Sequence, residues 1–184
     1  MAAVTLEIDN LTPRSRVTTF FRSLLVIPQM IVVYVLQMVA QLLTVGQWFI
    51  ILFTGKRNEG IWNFVAGVLN WQTRVITYAY LMYDKYPAFA FEGAGEPVRL
   101  GMQYEESASR LTNALRIFWI IPAAILGMFI AHALAVYTLI SWFIIVITAK
   151  HPSGIFDFSL KAHQYMARLN AYALLLTDTY PSLS

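Results

Sequence analysis

Two stretches of the chain repeat each other closely: residues 48–56 read WFIILFTGK, and residues 142–150 read WFIIVITAK. They lie 94 positions apart, and the same offset aligns residues 16–87 with residues 110–181 without a gap. Of these 72 aligned pairs, 23 are identical. A match of this extent at one fixed offset indicates an internal duplication. The sequence therefore predicts two tandem repeats of one plan, residues 1–93 and residues 94–184.

An uncharged segment contains most of each quoted stretch. Residues 29–54 and residues 123–148 contain no Asp, Glu, Lys or Arg. A helix needs about 20 residues to cross the hydrocarbon of a bilayer. Each segment is longer than that, so each predicts a tilted transmembrane helix. Trp48 and Trp142 lie near the far end of these segments, where tryptophan side chains meet lipid headgroups.

The composition of the chain agrees with a membrane protein. Of its 184 residues, 58% are hydrophobic and 12% are charged, against about 25% charged residues in soluble domains. The net charge is +3 and there is no cysteine. We therefore expect no nucleic-acid partner, no disulfide and no thiolate chemistry.

Each repeat begins with a short alternating segment, residues 4–9 and residues 98–103, which predicts two strands that pair outside the bilayer. A basic lead follows in each repeat. In this lead we expect Arg22 and Arg116 to meet headgroup phosphates. Pro28 and Pro122 then predict a break or a kink in the helix.

A second helix is predicted in each repeat, residues 61–83 and residues 155–177. It either crosses the membrane again or lies in the interface. Arg74 and its copy Arg168 belong to its polar stripe. A charge deep in a membrane helix is costly, so these arginines are expected to pair with an aspartate, a lipid phosphate or an anionic substrate, unless they only snorkel.

The predicted fold is an all-α integral membrane protein with two repeats, about four transmembrane helices and short extramembrane strands. If both repeats run parallel, seven basic residues lie on the side of the repeat starts and three on the other side. That count predicts a cytoplasmic N-terminus, and we expect a multi-pass protein of the inner (plasma) membrane. One alternative has interfacial second helices, two crossings and inverted repeats. Another folds each apolar segment into a hairpin, whose arms are too short to cross.

The candidate residues for lipid or partner binding occur as matched pairs of basic or tryptophan side chains. Lys56 and Lys150 are included because they follow the apolar segments and anchor the topology. No Ser/His/Asp set, metal cluster or nucleotide motif can be assembled from the sequence, so no catalytic, cofactor or metal residue is predicted. The candidates are Arg22, Arg116, Lys56, Lys150, Arg74, Arg168, Trp48 and Trp142.

Several motifs resemble a bacterial membrane-protein family known as domain of unknown function 4389. The strand-like residues 97–100 and the pair Tyr104-Glu105 resemble the linker of its two-copy, actinobacterial members. The resemblance implies the two-repeat membrane fold and no activity. The motifs are LVIP at residues 25–28, ILFTGK at residues 51–56, GIWNF at residues 60–64, VLNW at residues 68–71 and TDTYP at residues 177–181.

Three functions are compatible with these features, and none of them is enzymatic. The first is an accessory or scaffold subunit of a larger membrane complex, bound to lipids and to other membrane subunits or to itself. The second is a small transporter or channel for an anionic species, with Arg74 and Arg168 along its path. The third is a lipid-organising or membrane-shaping protein.

Overall fold

The computed structural model describes residues 4–10, 13–93 and 95–183. The described chain is mostly helical, and each repeat contributes one strand, one long apolar helix and one shorter helix. The elements are β1 (Thr5–Ile8), α1 (Arg16–Phe20), α2 (Arg22–Leu25), α3 (Ile27–Thr54), α4 (Glu59–Ala79), β2 (Val98–Gly101), α5 (Arg110–Thr148) and α6 (Ser153–Ala173).

The repeats differ in how the basic lead joins the apolar helix. In the first repeat the lead is two short helices, α1 and α2, and Pro28 lies in the first turn of α3. A proline is well tolerated there because its missing N–H would have had no partner within the helix. In the second repeat α5 continues through Pro122 as one helix of 39 residues. A break is therefore present before Pro28 in the first repeat, and α5 is unbroken at Pro122.

Both second helices end earlier than predicted, at Ala79 and Ala173 rather than at residues 83 and 177. The next turn contains Leu81 at φ 63° and Leu175 at φ 61°. This left-handed conformation cannot continue a right-handed helix. Met82 N–H then donates to Thr77 O, and the matching bond in the second repeat has the same length of 3.0 Å.

The two long apolar helices are antiparallel, so the end of each lies beside the start of the other repeat. Arg14 N–H donates to Ala149 O at 2.9 Å, and Ala108 N–H donates to Gly55 O at 2.9 Å. The repeats are thus inverted with respect to each other. The predicted parallel arrangement, with both apolar helices ending away from both repeat starts, is wrong.

Each shorter helix packs antiparallel on the long helix of its own repeat, and α4 also packs on α6. The Tyr165 hydroxyl of α6 donates to Ala123 O of α5 at 2.8 Å. At the matching position in the first repeat, Trp71 Nε1–H donates to Gln29 Oε1 at 2.8 Å. Side chains of different chemistry therefore fix the same helix crossing in the two repeats.

The predicted pairing of the two strands is confirmed. β1 and β2 form an antiparallel ribbon in which Leu6 lies opposite Leu100, its equivalent 94 positions later. A pseudo-twofold axis therefore passes through this pair. The ribbon contacts α4 and α6, and Gln164, near the middle of α6, donates to Leu6 O at 3.0 Å.

The molecule thus has three layers: α1–α3 and α5, then α4 and α6, then the ribbon. Most of the exposed large apolar side chains belong to the first layer, for example Leu42 and Phe129. Among the described helices, two are long and apolar enough to cross a membrane, α3 and α5. The four crossings predicted from the sequence are therefore not confirmed.

Candidate functional site

A buried cluster of charges forms where the second repeat meets the end of α3. Asp178 Oδ1 accepts hydrogen bonds from Arg116 Nη2 and lies 2.6 Å from Arg57 Nη2. Arg57 also donates from Nε to Leu175 O at 2.9 Å. The side chains of both arginines are at most 5% exposed, so the carboxylate compensates two cations that are removed from solvent.

The equivalent cluster of the first repeat is built around Asp84. Its Oδ1 accepts from Arg22 Nη2 at 2.5 Å, and its Oδ2 accepts from Ser15 N–H at 2.8 Å. Arg14 is the second buried arginine and donates to Met82 O at 2.6 Å. Burial lowers the pKa of the Arg14 guanidinium, an effect that nearby Asp84 opposes.

An aromatic ring and backbone carbonyls complete each cluster. The Arg22 guanidinium lies 4.0 Å from the centre of the Tyr78 ring and donates to Tyr83 O at 2.7 Å. Arg116 lies 4.2 Å from the Tyr172 ring and donates to the carbonyls of Tyr172 and Thr177. The left-handed turn after each shorter helix aims these carbonyls at the arginine. Both Nη groups of Arg22 and of Arg116 are therefore bound to protein acceptors.

The predicted exposure of Arg22 and Arg116 to headgroup phosphates is wrong, since both are buried. The repeated Asp84 and Asp178 were expected to organise turns, and they also hold these arginines. The sequence contained a signal for this pairing, because both partners recur at the same offset. Arg14 and Arg57 had no such signal, since their aligned counterparts are Ala108 and His151.

Trp48 and Trp142 join the two repeats. Trp48 Nε1–H donates to Asn113 O at 2.9 Å, and Asn113 Nδ2 donates back to Trp48 O at 2.9 Å. Trp142 Nε1–H donates to Thr19 O, the equivalent position, at 3.1 Å. Each tryptophan therefore fastens the end of its own apolar helix to the lead of the other repeat, a role the sequence did not predict.

Arg74 and Arg168 occupy different environments, although they align. Arg74 is fully buried and donates to the carbonyls of Ala90, Phe91 and Glu92. Gly93 permits this close approach, since a Cβ there would lie 2.9 Å from Arg74 Nη1. Arg168 is half-buried and donates to Ser182 O at 3.0 Å and to Val4 O at 3.4 Å. Asp84 forms its ion pair with Arg22, and Asp178 forms ion pairs with Arg57 and Arg116.

Lys56 and Lys150 are exposed at opposite ends of the long-helix layer. Lys56 Nζ forms an ion pair with Glu106 Oε1 at 2.9 Å, which ties it to the start of the second repeat. Lys150 N–H donates to Thr148 Oγ1 at 3.2 Å. The parallel arrangement places both lysines on one face, beyond the ends of the two apolar helices. That expectation is wrong, because the repeats are inverted.

The histidines are not arranged for metal binding. His163 is buried in α6 against the Tyr80 ring, and desolvation lowers its pKa to about 4. His132 is exposed on α5, where its Nδ1 lies 2.7 Å from Met128 O. Across residues 4–10, 13–93 and 95–183, no group of three or more His, Asp or Glu side chains could hold a metal ion.

The fold and its two charge clusters define a class: a helical protein of two inverted repeats, each with a long apolar helix and a buried arginine–aspartate pair. The particular family follows from comparison with known proteins. The family model described as domain of unknown function (DUF4389) matches residues 16–90 and residues 110–183, and the chain belongs to this family. No curated protein and no solved structure shows a significant match.

Proposed function

We propose that this protein is a non-enzymatic membrane protein that acts as an accessory or scaffold subunit of a larger membrane assembly. The observation that supports the proposal most directly is the layered distribution of side chains. The long-helix layer exposes apolar side chains, and the ribbon, on the other side of α4 and α6, exposes charged ones.

The position of the ribbon implies a partner if α3 and α5 span the bilayer. The ribbon contacts the middle of α6, so it would lie at the depth of the hydrocarbon. The side chains of Glu7 and Arg99 are 68% and 53% exposed, and charged groups at that depth are costly unless protein covers them. A second copy or another subunit would supply that cover.

The charge clusters support a scaffold rather than a binding site for an anionic substrate. In each cluster the guanidinium Nη groups of Arg22 or Arg116 are bound to a carboxylate and to backbone carbonyls. Such a group is positioned to hold two chain segments together, and removal of one partner would leave a buried charge uncompensated.

Single cysteines test the membrane arrangement, since the natural chain contains none. Lys56→Cys and Arg110→Cys label one end of the long-helix layer, and Lys150→Cys and Arg16→Cys label the other end. For a spanning scaffold, an impermeant maleimide should modify one pair in intact cells and the other pair only after permeabilisation. Different reactivity within either pair would contradict the inverted fold itself.

The partner is tested by the size of the protein extracted in a mild detergent. The wild-type chain should migrate well above its 20.9 kDa, and combined Glu7→Ala and Asp9→Ala changes should reduce the assembly towards the single chain. Lys150→Ala is the control and should leave the assembly intact. A wild-type chain that is monomeric under these conditions would exclude the scaffold proposal.

A lipid-organising protein is the second candidate, and the length of the uncharged stretch favours it. Between Arg116 and Lys150 there is no charged residue, and at about 1.5 Å per residue this stretch extends for about 50 Å. The hydrocarbon core is about 30 Å thick, so the long helices would fit lying flat in one leaflet with the ribbon in water. All four cysteines would then react from the same side, and the purified protein would tubulate vesicles.

A further inference from the structure

Two grooves related by the pseudo-twofold axis lie where the basic lead of one repeat meets the apolar helix of the other. Each is bordered by the tryptophan-containing part of one repeat's apolar helix and by the buried cluster arginine of the other repeat. The first groove has a volume of about 360 Å³ and is lined by Val45, Trp48, Phe49, Arg116, Ile117 and Ile120, among others. The second has about 330 Å³, with Arg22, Ser23, Leu139 and Trp142 in equivalent positions.

The two grooves differ in polarity although they have the same plan. In the first groove Arg116 and Thr44 contribute the main polar groups, and the other walls are apolar. In the second groove Ser23 replaces Ile117, and Tyr80 adds a hydroxyl that the first groove lacks. A hydrocarbon chain would therefore bury more apolar surface in the first groove than in the second.

We propose that the first groove holds one acyl chain of a membrane phospholipid, and that the second groove does not retain one. The groove opens onto the exposed apolar surface of α3 and α5, where Val45 and Ile117 are 58% and 66% exposed. Its volume lies at the lower end of the range of about 300–1,000 Å³ for ligand pockets, which suits a single chain rather than a whole lipid.

A buried donor beside the groove gives the lipid a polar contact. Arg116 is 4% exposed, and its Nε–H has no acceptor among the described residues. Its Nη groups are bound to protein, so Nε–H is the donor left for a carbonyl oxygen of the acyl ester. The equivalent Nε–H of Arg22 also has no acceptor among the described residues, so the apolar walls, and not this donor, distinguish the first groove from the second. Buried donors are normally paired, and an incoming oxygen would satisfy this one.

This inference rests on the proposed membrane location, and exchange of one residue between the grooves tests it. The wild-type protein is reconstituted into vesicles of phosphatidylglycerol with a diazirine at the end of one acyl chain, and photo-crosslinks are mapped by mass spectrometry. Crosslinks should concentrate on α3 and α5 around Val45 and Ile120. Ile117→Ser should reduce this labelling about fivefold, and Ser23→Ile should increase labelling of the second groove.

A filling substitution separates a bound chain from lipid at the surface. Val45→Trp should remove the crosslinks from the first groove, while its counterpart Leu139→Trp should leave them unchanged, with equal melting temperatures for the two variants. Even labelling along both long helices, unaffected by Val45→Trp, would overturn the inference and leave the scaffold proposal standing. A second contrary outcome is that the wild type shows acyl crosslinks elsewhere but none in the groove, and that Val45→Trp disrupts the partner assembly. This outcome would assign the groove to a partner helix instead. Absence of crosslinks anywhere would contradict the membrane location as well.

Discussion

The two charge clusters occupy equivalent places in the two repeats, yet they obtain their second arginine from different parts of the chain. At Asp178 this arginine is Arg57, which follows α3 of the other repeat and contacts the carboxylate directly. At Asp84 it is Arg14, which precedes α1 of the same repeat and is bound to Met82 O. Each aspartate therefore has two buried arginines near it, but the second arginine comes from non-equivalent positions in the two repeats.

The largest difference between the repeats is expected from neutralising the two aspartates. Asp178→Asn removes the carboxylate that compensates Arg57 and Arg116, which are both buried, and should cost about 3–5 kcal/mol. Asp84→Asn should cost less. Among the described residues that carboxylate forms an ion pair with one arginine, Arg22, whereas Asp178 forms ion pairs with two. Thermal unfolding in detergent measures both changes, and equal losses would show that Arg14 depends on Asp84 as strongly as Arg57 depends on Asp178.

Arg74 and Arg168 should differ next most strongly. Arg74→Ala leaves the carbonyls of residues 90–92 without their buried donor, and an unpaired buried group costs roughly 1–3 kcal/mol. Arg168→Ala should cost a smaller amount, because this side chain is only half-buried. The two melting temperatures in detergent decide the comparison. A larger loss for Arg168 would mean that its contacts with Val4 and Ser182 matter more than burial does.

The helix crossings offer a test of packing. Gly127 of α5 aligns with Val33, and Leu169 of α6 aligns with Val75. A Cβ at Gly127 would lie 2.7 Å from Leu169 Cδ2, so Gly127→Val should destabilise the protein by about 1–2 kcal/mol. Adding Leu169→Val copies the first repeat and should recover most of that loss. No recovery in the double variant would show that the two crossings are not interchangeable.

His163 should make stability depend on pH in the second repeat only, since its counterpart is Leu69. Its pKa of about 4 in the folded protein lies below the ordinary value of 6.5, so the unfolded chain binds the proton more readily. Stability should therefore fall as the pH decreases below 6.5, by about 1 kcal/mol at about pH 5.5. His163→Leu, which copies the first repeat, should weaken this dependence between about pH 7.5 and pH 5.5. Buried His151, whose pKa is also lowered by desolvation, should account for the part that remains. An unchanged pH profile would assign the effect to other groups.

The smallest effect is expected at the residue that ends each long helix. Gly55 and Ala149 both adopt left-handed conformations, at φ 73° and φ 58°, which costs an alanine about 1 kcal/mol more than a glycine. Ala149→Gly should therefore raise the melting temperature slightly, and Gly55→Ala should lower it. The loss should exceed the gain, because a Cβ at Gly55 would also lie 3.1 Å from Arg110 Nε. A loss on Ala149→Gly would contradict the strain argument.

The elements of this protein could be predicted from local patterns. The fixed offset of 94 residues revealed the duplication, the uncharged stretches predicted the long helices, and the alternation of residues 4–9 and 98–103 predicted the ribbon. These patterns reflect forces that act within a short stretch of chain, namely helix and strand periodicity and the burial of apolar surface. For the same reason, the recurrence of Arg22 with Asp84 in the second repeat was available as a signal for the clusters.

The tertiary structure alone decided how the repeats face each other. A duplicated sequence fits a parallel and an inverted pair equally well, because each copy contains the same segments in the same order. The inversion follows from contacts between residues far apart in the chain, such as Trp48 with Asn113 and Arg57 with Asp178. Their free energy depends on the packing of both repeats at once, so it leaves no periodic trace in either one. The difference in burial between Arg74 and Arg168 cannot be found in the aligned helices. It comes from residues 90–92, which lie over Arg74 and whose carbonyls accept its hydrogen bonds.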